Sequence, residues 1–290
     1  MKDKKALFSL LACPQCFSAL TLKEPENLHC GTCIRDYKIV KGAPVLFTPE
    51  TESAVESSLK SLEKRRTSAP AWVKKVKAVL DPPSLYCMNV QERIVGEYIT
   101  PLLEAGKSVL HIGSKRENVG DTAINLDISP YFENVDIVCD AHRLSFRDGS
   151  IDAVYIPGVL EHVMDPEKIV SEIHRVLAPG GMVIAGVPFI QGYHPDPLDL
   201  RRYTADGVAL LFRSFKKVDA GAGGGPGSAL AWVLQEYISI LLSFNSMYLY
   251  RFWQVVAGWL VFWLKYTDIL LSSNRFAVNI AGATYFVGKK

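Results

Sequence analysis

Three sets of residues in this 290-residue chain combine types and spacings that can do chemistry. Cys13-Pro14-Gln15-Cys16 and Cys30-Gly31-Thr32-Cys33 are two Cys-x-x-Cys pairs separated by thirteen residues. Four thiolates at this spacing suit one tetrahedral zinc ion, and with every ligand position filled by protein the ion would be structural. A redox dithiol would use one such pair beside a strand–helix–strand unit instead of two pairs in a short ribbon. Asp127 and Asp140 each follow an apolar run. Carboxylates at successive strand tips can accept hydrogen bonds from ribose hydroxyls and an adenine amino group, with Ile128 packing on the adenine face. A cap or turn is the alternative role for either Asp taken singly. His162 and His194 are candidate general bases, His194 favoured. His162 could also serve only to hydrogen-bond its loop.

Such residues need a scaffold, and from about residue 85 the pattern alternates between strand and helix. The apolar runs 109–112, 123–126, 135–139, 153–156 and 182–187 end in Gly113, Asp127, Asp140, Pro157 and Pro188. Short, continuously apolar strands separated by helical stretches imply a parallel sheet covered on both faces. One helix is well marked: Asp165 caps it, Pro166 occupies its first turn, and Ile169, Val170, Ile173, Val176 and Leu177 share a face. Pro179-Gly180-Gly181 is expected to stop that helix and turn the chain into the next strand.

Residues 6–48 hold the cysteines, and a unit this small has too little core to fold without a staple such as zinc. Residues 49–84 read as a linker with one or two surface helices. Its cationic cluster, Lys64-Arg65-Arg66 with Lys74, Lys75 and Lys77, could meet anionic lipid or RNA but most simply faces water. Residues 85–290 complete an α/β domain. Apolar residues make up 49% of the chain, enough for a large core, and a net charge of +2 does not by itself imply nucleic acid. The start, Met1-Lys2-Asp3-Lys4-Lys5, lacks the apolar run of a secretory signal.

Several motifs carry a resemblance. Asp140-Ala141-His142-Arg143-Leu144-Ser145-Phe146, Gly149-Ser150-Ile151-Asp152-Ala153-Val154, Val159-Leu160-Glu161-His162-Val163 and Arg175-Val176-Leu177-Ala178-Pro179-Gly180-Gly181 resemble class I methyltransferases of the ubiquinone and menaquinone type. The likeness spans about 105–215. It implies a Rossmann-like seven-stranded sheet and the cofactor S-adenosylmethionine, with Gly113, Asp127, Ile128, Asp140 and Ala141 in binding positions. The loop 111–120 departs from the glycine-rich pattern, keeping only Gly113 in its expected place. Lys115 or Arg116 could instead pair with the cofactor carboxylate. Residues 6–48, through Leu10-Leu11-Ala12-Cys13-Pro14 and the stretch 37–46, resemble the small zinc-binding activator protein of tRNA and protein methyltransferases.

After the expected fifth strand, Phe189 and Tyr193 could cover a substrate, and Asp199 and Arg202, three apart, could form an ion pair on a helix turn. A sixth strand is expected at 215–220 and a seventh at 283–288. Between them lies an apolar helical insertion, 223–274, where Arg251 is the only charge from Tyr237 to Leu264. Two shorter helices lying at a membrane surface, or a buried lid or homodimer surface, fit that composition equally. The expectation is therefore a zinc-containing methyltransferase acting on an oxygen of a small-molecule, glycan or lipid-linked acceptor. It would be cytoplasmic, with peripheral contact at the inner face of a membrane. A tRNA- or ribosome-modifying enzyme, with nucleic acid as partner, and a non-catalytic scaffold are the alternatives.

Overall fold

The computed structural model describes residues 4–23, 27–53, 55, 80–115, 117–130, 132 and 134–290. The expected linker helices and the basic cluster at 64–77 lie outside them. Among the described residues, eleven strands form one sheet in the order β1-β2-β3-β4-β7-β6-β5-β8-β9-β11-β10. The first four are β1 (Thr21–Lys23), β2 (Asn27–Cys30), β3 (Arg35–Val40) and β4 (Ala43–Leu46). The next five are β5 (Val109–Ile112), β6 (Ile124–Asp127), β7 (Ile137–Cys139), β8 (Ile151–Pro157) and β9 (Leu177–Pro188). The last two are β10 (Lys216–Gly224) and β11 (Ala283–Lys289).

The seven strands expected from sequence are the segment from β7 to β10, but the sheet does not stop there. β4 pairs in parallel with β7, through Val45 opposite Val138 and Leu46 opposite Cys139. This corrects the seven-stranded expectation to eleven. The physical reason is that β7 would otherwise present an open edge of unpaired backbone groups, which the cysteine-bearing unit covers. That unit is also joined through the interior. Leu7, Leu11, Leu28, Tyr37 and Leu46 share one buried cluster with Leu110, Leu126, Leu144, Phe146 and Ile173.

β5, β6 and β7 are buried along their whole length, as expected of strands covered on both faces. On one side lie α1 (Lys4–Leu10) and α4 (Pro166–Val176), on the other the chain of turns α2 (Asn89–Ile94), a π segment (Val95–Ile99) and α3 (Thr100–Glu104). Asp165 caps α4 by accepting from Lys168 N at 3.0 Å, and Ile169, Val170, Ile173 and Val176 are its buried face.

Two boundaries differ from expectation. α4 ends at Val176, and β9 already begins at Leu177, so Pro179-Gly180-Gly181 lies inside a strand. The β8–β9 register shifts between Ile151 and Ala153, and Gly180 adopts φ +77°, the signature of an irregular strand entry. β10 likewise runs on through Gly224, pairing Ala222 with Thr284 and Gly224 with Ala283. The insertion therefore starts at Pro226, not Gly223. It consists of α6 (Pro226–Ser243), α7 (Met247–Val261), a 3₁₀ turn (Phe262–Thr267) and α8 (Asp268–Leu271); α5 (Ala205–Leu211) precedes β10.

The fully buried Asp268 caps α6 from outside it. Its carboxylate accepts from Gly227 N at 2.6 Å and from Ser228 N and Oγ at 2.9 and 2.6 Å. A carboxylate on the amides of a helix N-terminus is favoured by both hydrogen bonding and the helix dipole. A Cβ on Gly227 would lie 2.3 Å from Leu264 O, so the glycine there makes room for this closure.

The hairpin of α6 and α7 is sewn together by polar side chains. Gln235 Nε2 donates to Gln254 O at 2.8 Å, and Glu236 accepts from Tyr250 OH and Gln254 Nε2 at 2.6 and 2.9 Å. Its outer surface is apolar, with Ile240, Leu241, Phe244, Tyr248, Phe252 and Leu260 all more than half exposed. The helical run Met247–Leu271 is long and apolar enough to cross a membrane by length and composition.

Candidate functional site

The strand order reverses beside β5, and ligands of open α/β sheets bind beyond the carboxyl ends of strands at such a switch. A cavity of about 790 Å³ opens there. It is lined by Gly113 after β5, Asp127 and Ile128 after β6, and Asp140 and Ala141 after β7. All five sequence-predicted binding residues therefore meet in one place. Ile128 is half exposed into it, as an apolar platform should be.

Gly113 takes φ +75°, and a Cβ on it would fall 2.3 Å from Val159 Cγ2, so only glycine fits this turn. Asp127 accepts from Ser129 N at 2.9 Å and from Lys115 N at 3.3 Å. Burial outweighs those bonds and raises its carboxyl above the ordinary value. Asp140 accepts, on Oδ1 alone, from His142 N at 2.9 Å and meets His142 Nδ1 at 2.7 Å. Burial pushes that carboxyl up, but the His142 ring and amide together overturn it and hold the group below the ordinary value. The capping and ligand roles thus coexist on both side chains. The residues present fit an adenosine: a buried and a part-buried carboxylate, an apolar platform and a backbone approach that admits no Cβ. Lys115 pairs instead with Asp196, and Arg116 lies outside the described residues.

A second cavity, about 350 Å³, adjoins the first and shares Gly113, Lys115, Gly158 and His162 with it. Its walls include Glu161, His162 and His194, with Tyr86, Trp232 and Tyr285 opposite. The Tyr86 and Trp232 rings stack at 5.8 Å. His162 Nδ1 lies 2.5 Å from Leu198 O and His194 Nδ1 2.8 Å from Gly192 O. A carbonyl only accepts, so Nδ1 carries the proton in each neutral ring and Nε2 keeps its lone pair; for His194 the 2.8 Å carbonyl contact outranks the 3.4 Å approach of Arg202 Nη2 to the same atom. Both Nε2 atoms face Glu161, at 3.7 and 4.0 Å from Oε1. The Glu161 carboxylate raises the His194 ring above its ordinary value, against burial. His162 does meet a loop carbonyl, but of a loop thirty-six residues away.

Asp199 and Arg202 form a two-pronged ion pair, but not on a helix turn: residues 201–204 carry no regular structure. The pair braces His194, because Asp199 Oδ2 also accepts from His194 N at 2.8 Å. Arg202 holds the Asp199 carboxyl far below the usual range. Phe189 and Tyr193 do not cover the cavity. Tyr193 projects into solvent, and Phe189 packs beside Ala222, Ala277 and Ala281. Sequence reasoning missed Glu161, Tyr86 and Trp232. Glu161 stood next to a chosen histidine, but nothing in the sequence brings residue 86 or 232 to this cleft.

The four cysteine sulfurs lie within 4.8 Å of one another, with Cys16 and Cys30 sulfurs 3.6 Å apart. Ligands ~2.3 Å from a tetrahedral ion stand ~3.8 Å from each other, so the cage fits zinc. Gln15 N and Cys33 N donate to the Cys13 and Cys30 sulfurs, both at 3.4 Å, as the turns of two knuckles require. Hydrogen bonds led by Ser18 bring the Cys16 thiol down to about 6, while the Cys16 sulfur helps push Cys33 up to about 12. Four neighbouring sulfurs share little negative charge unless a cation joins them.

Arg143 ties the first knuckle to the turn that lines the nucleoside-sized cavity. Arg143 donates to Pro14 O and, at 2.7 Å, to Gln15 O, and it stacks with Arg175 on Phe17. It ends the short turn Ala141–Arg143 whose first residues line that cavity.

Comparison with known proteins agrees with this geometry. Residues 96–185 match the family described as a methyltransferase domain. An uncharacterized 37.1 kDa transposon protein of Streptomyces fradiae is 47% identical over 49 residues, 17% of this chain and 14% of that protein. The ubiquinone/menaquinone biosynthesis C-methyltransferase of Desulfotalea psychrophila is 34% identical over 89 residues, 27% of this chain and 36% of that protein. The chain thus spans about a third or less of the length of these relatives. Among solved structures, a SAM-dependent methyltransferase of Archaeoglobus fulgidus is 15% identical, covering 70% of this chain and 95% of its own, with a TM-score of 0.43. The stretch that matches a methyltransferase domain, residues 96–185, supplies Gly113, Asp127, Asp140, Glu161 and His162 of the two cavities.

Proposed function

We propose that the chain transfers a methyl group from S-adenosylmethionine to an oxygen of a small-molecule, glycan or lipid-linked acceptor. One observation carries this reading. A cavity bearing strand-tip carboxylates adjoins a second cavity bearing two imidazole lone pairs, across the shared wall of Gly113, Gly158 and His162. Asp127 and Asp140 would hold the ribose and adenine, and the bound cofactor supplies an electrophilic methyl group. His194 and His162 face the acceptor side with Nε2 free of its proton, placed to accept one from a hydroxyl. Glu161 stabilises the imidazolium that results, and the Asp199–Arg202 pair fixes the position of His194. Positioning the acceptor oxygen against the methyl group supplies much of the rate in such a transfer.

The α6–α7 hairpin supports a lipid-linked acceptor and peripheral membrane contact. Its interhelical hydrogen bonds lie beside a small apolar cluster of Ala231, Trp232 and Val261, while large apolar side chains also cover its outer surface, where a helix pair in water would carry polar ones. Trp232, which lines the acceptor cavity, stands on the same hairpin. Cys13, Cys16, Cys30 and Cys33 hold a structural zinc ion that organises the first strands.

The test is calorimetric titration of S-adenosylmethionine, then incubation of the protein with methyl-labelled cofactor and a fractionated cell extract. Cofactor binding with label in lipid or glycan supports the reading. Label in RNA would replace it with a nucleic-acid acceptor, and absence of any cofactor binding would leave a non-catalytic scaffold.

A further inference from the structure

The acceptor cavity contains a second constellation suited to a metal. We infer that Glu161, His162 and His194 form a site for one divalent first-row cation, such as Mn²⁺ or Fe²⁺, whose open positions face the acceptor. Two imidazoles and one carboxylate, with further positions left open, are a ligand set that binds such cations.

The distances favour an ion over a hydrogen-bonded cluster. Ligand atoms ~2.1 Å from a shared ion stand ~3.0–4.2 Å apart, depending on the angle between them. The Glu161 oxygen lies 3.7 Å from His162 Nε2 and 4.0 Å from His194 Nε2, both inside that range. An imidazolium–carboxylate hydrogen bond would close to ~2.8 Å, and neither contact does. The outer contacts are those of a metal site as well. Each histidine gives its Nδ1 proton to a backbone carbonyl, Leu198 O or Gly192 O, which fixes the tautomer that leaves Nε2 as a ligand.

The second observation is independent of these distances. The Glu161 side chain is 2% exposed and its Oε2 has no hydrogen-bond partner. A buried carboxylate oxygen without a partner is costly, and a dication beside it removes that cost. The charged side chains nearby are committed elsewhere. Arg202 is bound to Asp199 and to the Gln191 and Gly192 carbonyls, and Lys115 to Asp196. The three ligands sit on the wall of the 350 Å³ cavity, so the open positions meet whatever enters it.

An acceptor hydroxyl bound to the ion becomes more acidic, and its proton leaves to solvent water while the oxygen keeps the electron pair. In that state the cation, not a histidine, activates the acceptor. This consequence rests on the methyl-transfer reading; the ion site does not.

The experiment uses full-length protein dialysed against a chelator mild enough to leave one zinc per chain. Mn²⁺ is then titrated alone, without cofactor or acceptor, and free Mn²⁺ is followed by its electron paramagnetic resonance signal. The expected result is one Mn²⁺ per chain, with affinity at least tenfold weaker in Glu161→Gln and in His194→Ala. Where Glu161→Gln lowers Tm, His194→Ala, a third exposed, carries the comparison. Absence of Mn²⁺ binding at millimolar concentration, or binding undiminished in both variants, overturns the proposal. Titrating S-adenosylmethionine into the same samples separates the two claims. Retained Mn²⁺ without cofactor binding would sink the methyltransferase reading and leave the ion site standing.

Discussion

Asp127→Asn should move cofactor affinity and apo stability in opposite directions. The native carboxylate is nearly buried and accepts two loop amides, Ser129 N at 2.9 Å and Lys115 N at 3.3 Å. Burial raises its folded pKa above the unfolded one. A carboxyl raised in this way favours the fold at low pH, and that contribution is lost as pH rises through the folded value. At neutral pH the ionised group is therefore a burden on the unliganded protein; the isosteric amide removes the charge while keeping one acceptor oxygen for Ser129 N and giving up the longer bond from Lys115 N. Tm of the apo variant should hold or rise. The ribose hydroxyls, by contrast, would lose a charged acceptor. One charge-assisted hydrogen bond is worth ~1.5–3 kcal/mol, so the Kd for S-adenosylmethionine should weaken ~10–150-fold. Calorimetry and a thermal-shift assay on the same preparations read both quantities. In wild type, affinity should also decline on acidification at a higher pH than an ordinary aspartate would give. A Kd changed less than about threefold would refute Asp127 as the ribose ligand and leave it a turn residue.

Three further outcomes follow from the same geometry. Gly113→Ala forces a Cβ against Val159 Cγ2 at 2.3 Å with φ +75°, so it should destabilise by ~2 kcal/mol and weaken cofactor binding, with partial rescue by Val159→Ala in the same assays. Cys30→Ser should abolish the zinc measured by elemental analysis and render residues 6–48 protease-sensitive. It should also weaken S-adenosylmethionine binding, because Arg143 loses its carbonyl partners on Pro14 and Gln15. Phe244→Glu with Tyr248→Glu should abolish flotation with anionic vesicles while leaving cofactor affinity unchanged; flotation of the variant equal to wild type would remove the hairpin from membrane contact.

Much of the scaffold was legible because its signals are local. Buried strands such as Val109–Ile112 must be apolar on both faces, and the polar residue ending each run marks where the chain leaves the sheet. The Asp165-Pro166 start of α4 needs only its own first turn, and the two Cys-x-x-Cys pairs announce a cage because two residues between cysteines fix a knuckle. Strand ends failed where pairing overrode local signals. Leu177 and Gly224 are strand residues because neighbouring strands hold them, although glycine and proline nearby read as turns.

The sequence by itself determined the class of the domain, the cysteine set and the five residues around the larger cavity. Those rest on periodicity, on spacing and on motifs that resemble a known family, all of which a linear chain carries. Only the tertiary structure decided that β4 would extend the sheet beside β7. It alone brought Tyr86, Glu161, His194 and Trp232 around one cavity and sent Asp268 back to cap α6. Such contacts join positions tens to more than a hundred residues apart. They are selected by which buried polar groups and sheet edges must find partners once the chain is compact, a condition that no local pattern records.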